Sequence, residues 1–263
     1  MFSVGKMEAL TRIGFAARGI MYLLIGYFAL SAGRAEDGAG ALRHLTSGAG
    51  KVLLCIMAVG FLAYGLWRLA EAKLDTENHG SAPTGLAARL GGAVSGLIHL
   101  GLAATAAGIA LGGRGSGDGS AEDGAATVLA LPGGKVALIA VAALLLVTGL
   151  FQLIKAVRAD FLRHLGGPVA RQAWVKVAGR AGYAARGIVF ASMGIFLWRA
   201  ARTSDASKAA DMGQALASLP GEIQVLVAAG LGLFGLFSLV EARFRRINDP
   251  KVLERLSWKR QSA

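Results

Sequence analysis

Arg18 and Arg186 stand inside stretches of sequence that are otherwise apolar. A charge within a membrane-spanning helix is costly and faces a partner or a pathway. The planar guanidinium fork suits a carboxylate or a phosphate. The words around the two arginines point to a partner. GFAARGIMY at residues 14–22 recurs as GYAARGIVF at 182–190 and, worn, as GGAVSGLIH at 91–99. A second set closes later apolar runs: YGLWRLAEA at 64–72, TGLFQLIKA at 148–156 and FGLFSLVEA at 234–242. Aligned, these words make Glu71 equivalent to Glu241, and in the middle copy Ser95 and Lys155 stand where the arginine and the glutamate belong. Joint loss of both residues predicts ion pairs within the first and last copies, Arg18–Glu71 and Arg186–Glu241, each clamping its own pair of helices. A lipid phosphate is the competing ligand for these arginines.

Other residues carry weaker chemistry. His99 lies in an apolar run, where a lone histidine can ligate haem or relay protons. No second histidine follows at i+4, and His44, His79 and His164 fall in connections, so a core histidine is expected. The single cysteine, Cys55, supports neither a disulfide framework nor a thiolate metal site. GxSxG, HExxH, the phosphate-binding GxxxxGK[ST] and CxxCH do not occur. No apolar run carries an acid away from its ends, and none contains proline, so proton relays and broken helices are not signalled. The expectation is no catalytic, cofactor-binding or metal-binding residue, and no enzyme.

The elements that position these residues are spanning helices. Hydrophobic residues make up 54% of the 263 and charged ones only 17%, well below the quarter or so usual in soluble chains. Charge-free runs occupy residues 19–33, 52–67, 90–113, 136–154, 187–198 and 223–240. A span needs roughly 20 residues. The first and fifth runs reach that length only by starting near Ile13 and Ala181, which draws Arg18 and Arg186 inside. Six spans return the chain to its starting side. That side carries twenty lysines and arginines against eight opposite, while the sixteen acids divide evenly. The positive-inside rule then places both termini in the cytoplasm. The net charge of +12 is thus a topology signal that suits anionic lipid headgroups rather than nucleic acid.

Three two-helix units follow, parallel because each returns to its starting side. They occupy residues 1–78, 79–165 and 166–247, arranged around a pseudo-threefold axis, with a basic amphipathic tail at 248–263. Small residues at four-residue spacing predict close helix contacts at Gly92 and Gly96, at Gly108 and Gly112, and at Gly232. Glycine- and acid-rich outer connections each end in a short helical segment. On the inner side, Pro168 and the word VARQAWVKVAGR at 169–180 predict an interfacial helix before the fifth span, with Pro168 in its first turn.

The repeated R-x-G-[FY]-A-A-R-G-[IV] word, spread from Thr11 to Ile247, resembles the bacterial membrane family called domain of unknown function 1206. The middle copy departs from it at Val94 and Ser95. The resemblance implies three two-helix repeats in a bacterial inner membrane and no established activity. The mitochondrial carriers share that repeat count, but their Pro-x-Asp-x-x-Lys signature is absent. The reading is an all-α membrane protein that serves as a non-catalytic structural, interaction or stress-related module. The alternative is transport of a small solute or ion along the bundle axis.

Overall fold

The computed structural model describes residues 4–31, 35–46, 48–75, 80–113 and 121–245. The tail at 248–263 lies outside the described residues. Among the described residues there are nine α-helices: α1 (Val4–Ser31), α2 (Gly38–Arg43), α3 (Ala49–Leu74), α4 (Pro83–Ala110), α5 (Ala121–Leu129), α6 (Gly134–Arg158), α7 (Ala173–Thr203), α8 (Met212–Ala217) and α9 (Gly221–Phe244). Six of them (α1, α3, α4, α6, α7 and α9) are long and apolar enough to cross a membrane. The chain is an all-α, multi-pass membrane protein. A short helix precedes the second span of each unit, α5 starting already in the acid-rich stretch at Ala121 and ending at Leu129. Asp37 caps α2 by accepting from the Gly40 amide at 2.6 Å. Asp211 and Gln214 close a capping box on α8.

The long helices pack in the order α4, α3, α1, α9, α7, α6. The closest pairs join successive units: α3 with α4, α6 with α7, and α9 back to α1. Within the first unit α1 also packs on α3, and within the last α7 packs on α9, but α4 and α6 of the middle unit share no extended contact. The ring is open at that one seam, for a steric reason. In the first unit a Cβ on Gly60 would stand 2.7 Å from Ala17 Cβ, and in the last one on Gly230 would stand 2.7 Å from Ala185 Cβ. Leu144 and Val94 hold these places in the middle unit. Bulk there keeps the backbones apart, and Gly91 has nothing nearer than Thr148 Oγ1, 4.0 Å from its would-be Cβ.

Glycines set the closest seams in the same way three times. A Cβ on Gly19 would stand 2.9 Å from Gly235 O, one on Gly96 2.9 Å from Gly65 O, and one on Gly187 2.9 Å from Gly149 O. In each case it would also stand 2.8–2.9 Å from a leucine side chain of the same seam: Leu239, Leu69 and Leu153 respectively. Only glycine permits backbones to approach so closely.

Several expected packing positions need correction. Gly112 is exposed beyond the end of α4, at φ +87°, with nothing within 4 Å of its would-be Cβ. It terminates the helix, its amide donating to Ile109 O while that of Gly113 donates to Gly108 O. Gly108 is half-buried within α4. Gly92 accommodates side chains rather than a neighbouring backbone, since its would-be Cβ lies 3.2 Å from Arg68 Nη2. Gly232 does lie in a helix contact, for a Cβ on Gly26 would stand 2.9 Å from its Cα. The separate interfacial helix is replaced by a 3₁₀ turn, Pro168–Arg171, an extended Gln172, and then α7 itself from Ala173. Val175, Ala178 and Gly179 give this early part of α7 a buried side. Gly179 abuts Phe161, which the 3₁₀ turn Asp160–His164 tucks between Tyr183 and Phe237.

Candidate functional site: three seams and a buried arginine

Each close seam is stapled by the arginine two positions before its repeated word. Arg12 Nη1 donates to Ala242 O at 2.9 Å and also to Arg243 O at the end of α9. Arg89 donates to Ala72 O at 2.8 Å and Lys73 O at 3.2 Å at the end of α3. Arg180 donates to Val157 O at 2.7 Å near the end of α6. A cation at a helix C-terminus satisfies orphan carbonyls and meets the favourable end of the dipole. The pattern is the same in all three seams.

The charges deeper in the seams differ. Arg18 pairs with Glu241 of the last unit, Nη2 to Oε2 at 2.5 Å, and not with Glu71. The expected pairing within a unit is therefore corrected: α1 turns its arginine towards α9, its closest neighbour. Arg18 also donates to Tyr64 Oη at 2.5 Å and to Ser238 Oγ at 3.2 Å. Its guanidinium lies 4.7–5.0 Å from the ring centroids of Phe15, Tyr64 and Phe234. The other oxygen of Glu241 accepts from Arg245 Nη1 at 2.5 Å. Glu241 is 1% exposed, so two guanidiniums on one buried carboxylate supply the charge-assisted bonds its desolvation requires.

The seam between α3 and α4 keeps the acid and lacks the opposing arginine. Ser95 stands at that place, and Glu71, 1% exposed, pairs with Arg68 one turn earlier on its own helix. The sequence signals for Arg68 and Arg245 are their helical spacings from the acids, i−3 and i+4, which the pairing between repeated words obscures. Tyr64 and Ser238 carry no comparable signal.

The seam between α6 and α7 has the opposite composition. Arg186 precedes Gly187 as Arg18 precedes Gly19, but Lys155 follows Gly149 where Glu241 follows Gly235. Arg186 is 9% exposed, and its Nε is enclosed without a hydrogen-bond partner. Among the described residues neither a carboxylate nor any other acceptor pairs with it. It lies instead within an aromatic enclosure, its Cζ 4.5 Å from the Phe234 ring, 5.1 Å from Phe190 and 5.3 Å from Tyr22. A cation–π contact contributes about 0.5–2 kcal/mol, whereas taking an ion out of water costs several. The rings alone leave the charge undercompensated. The expected Arg186–Glu241 pair does not form, because Glu241 is held by Arg18 and Arg245.

Arg68 Nε is likewise enclosed without a hydrogen-bond partner, and so is one ring nitrogen of His99. The Nδ1 of His99 lies 2.7 Å from Ser95 O, and its Nε2 is the enclosed nitrogen. The ring packs beside Tyr64 and Phe61. Among the described residues no cluster of three histidine, cysteine or acidic side chains is placed to hold a metal ion.

The recurring seams match the way the sequence compares with known proteins. The profile of the Domain of Unknown Function (DUF1206) family matches three segments, residues 13–75, 90–159 and 181–245. The chain belongs to the DUF1206 family. Its relative YxxB of Bacillus subtilis (strain 168), described as uncharacterized, is 31% identical over 253 residues, spanning 91% of this chain and 92% of its own length. No solved structure matches the chain. Within this DUF1206 chain the matched segments begin before Arg18, Ser95 and Arg186 and extend through Glu71, Lys155 and Glu241, so both sides of every seam lie within them.

Proposed function

We propose that the chain is a non-catalytic multi-pass protein of the bacterial inner membrane, acting as a structural or interaction module with both ends in the cytoplasm. The observation that carries this reading is the engagement of Arg18 at all three of its guanidinium nitrogens. Its donors go to Glu241, Tyr64 and Ser238, so the group best suited to a substrate is spent on joining α1, α3 and α9. The twenty basic residues assigned to one side support the orientation and suit anionic lipid headgroups as that side's partner. Reconstitution into liposomes tests the role. No saturable flux of protons, halide or phosphate above protein-free vesicles is the expected result, and a saturable flux overturns it.

A second reading, transport of a small solute or ion, is favoured by the open seam between α4 and α6 and by the enclosed Nε of Arg186 and Nε2 of His99. The same flux measurement decides between the two.

A further inference from the structure

We infer that the basic end of the seam between α6 and α7 carries a binding site for an anionic phospholipid, with its phosphate on Arg158 and Arg180 and an acyl chain in the groove beside them. The inference rests on the reading that the basic side meets anionic headgroups, and narrows it to one place. α6 is the spanning helix most open to its surroundings, 17% buried against 39–50% for the other five. Near its end Leu153, Ile154, Val157 and Arg158 line a groove of about 290 Å³. Its walls are aliphatic except for the guanidinium. Val157 and Arg158 are both exposed, so the groove lies on the outside of the bundle, where lipid reaches it.

Two cations meet at this groove. Arg158 is part of its wall. Arg180 of α7 donates from Nη2 to Val157 O at 2.7 Å, and that bond holds its guanidinium at the rim. This staple is lighter than the other two. Arg12 and Arg89 each reach two carbonyls of the opposite helix, whereas Arg180 reaches one and keeps Nη1 and Nε for another acceptor. Among the described residues neither Arg158 nor Arg180 is bonded to a carboxylate. Trp174 and Val177 precede Arg180 at three-residue spacing on the same side of α7, and both are exposed. Guanidinium forks suit a phosphate, an aliphatic groove suits hydrocarbon, and an exposed tryptophan at the end of a span suits headgroup depth. Free phosphate would engage the arginines and leave the groove empty. A phospholipid engages both.

Native mass spectrometry of the full chain in mild detergent, titrated with phosphatidylglycerol or with phosphatidylcholine, tests the site. The wild type should retain phosphatidylglycerol about tenfold more tightly. R158Q removes a charge that the fold does not use and should reduce that preference about tenfold, the worth of one charge-assisted contact. V157W fills the groove without changing charge and should weaken retention of phosphatidylglycerol by a similar factor. K73Q removes an exposed charge at the corresponding end of α3 and should change nothing. Equal retention of the two lipids by the wild type, or unchanged binding in R158Q or V157W, overturns the site. An equal fall in K73Q and R158Q overturns it too, while leaving the general attraction of the basic side for anionic lipid in place. Liposome flux, which decides the proposed function, is read separately from all of these outcomes.

Discussion

The seam between α9 and α1 and the seam between α6 and α7 are built on one backbone plan and differ in charge. Both bring glycine against glycine, and both are stapled by an arginine at a helix end. One then buries a guanidinium against a carboxylate, while the other buries a guanidinium among aromatic rings and carries an exposed lysine at the position equivalent to the carboxylate. Close packing of the helices therefore does not depend on the ion pair. Glycine contacts and carbonyl staples hold the frame, and the charged position is where the seams diverge.

The largest break in the comparison should come from E241A. It strips Arg18 and Arg245 of their shared acceptor, and losing one partner of a buried pair costs about 3–5 kcal/mol. A large fall in thermal midpoint is expected, whereas K155A at the equivalent position should lower it little. Equal losses for the two variants would show that the seams do not differ as described.

Next in size are the glycines. Gly19→Ala and Gly187→Ala each force a methyl to within 2.9 Å of an opposing backbone oxygen, and overpacking of this kind costs about 1–3 kcal/mol. Gly91→Ala faces the open seam and should be neutral or slightly stabilising, because alanine is the better helix former. Thermal melts of the three variants check this ordering.

The staples should be weaker individually. R89A removes two bonds to the carbonyls ending α3, and each intramolecular hydrogen bond contributes about 0.5–1.5 kcal/mol. Faster hydrogen exchange at the end of α3 is the expected signature, with the ends of α6 and α9 unchanged.

The smallest effect should lie at the connections that carry α2 and α8. Burial, aided by the charge of Asp211 and opposed by the Gly40 amide, raises the Asp37 carboxyl above its usual range. The folded state then holds this proton more tightly than the unfolded chain does. Its contribution favours folding at low pH and is lost as pH rises through the folded value. D37N keeps an acceptor for Gly40 and removes the charge, so it should slightly raise the midpoint at neutral pH and flatten its dependence in the acidic range. The Asp205 carboxyl is shifted downwards by the Ser207 hydroxyl, so D205N should slightly lower the midpoint at neutral pH, and the difference should vanish as pH falls through the folded value.

Much of this architecture is legible along the chain. Span lengths force Arg18 and Arg186 into helices, since the first and fifth charge-free runs are too short to cross without them. The repeated words identify the residues at equivalent depths, including the arginines that prove to be staples. The interfacial helix was not legible as part of α7, because an amphipathic segment reads alike whether it lies on a membrane or packs on Phe161. Gly112 likewise continues a four-residue spacing on paper but lies beyond the end of α4, where helix termination requires a positive φ.

By itself the sequence determined the all-helical class, the six spans, the recurring words along them and the place of Arg18 and Arg186 inside helices. Tertiary structure alone decided which carboxylate meets which arginine. Depth follows from distance along a helix, and spacing in the chain encodes it. Direction around the helix axis is resolved only when neighbours are known, and the closest neighbours here belong to successive units. Under pairing within units, the exchange of Arg for Ser95 and Glu for Lys155 empties one clamp. Under the observed pairing the same two changes fall in different seams, leaving Glu71 to Arg68 and Arg186 without a carboxylate.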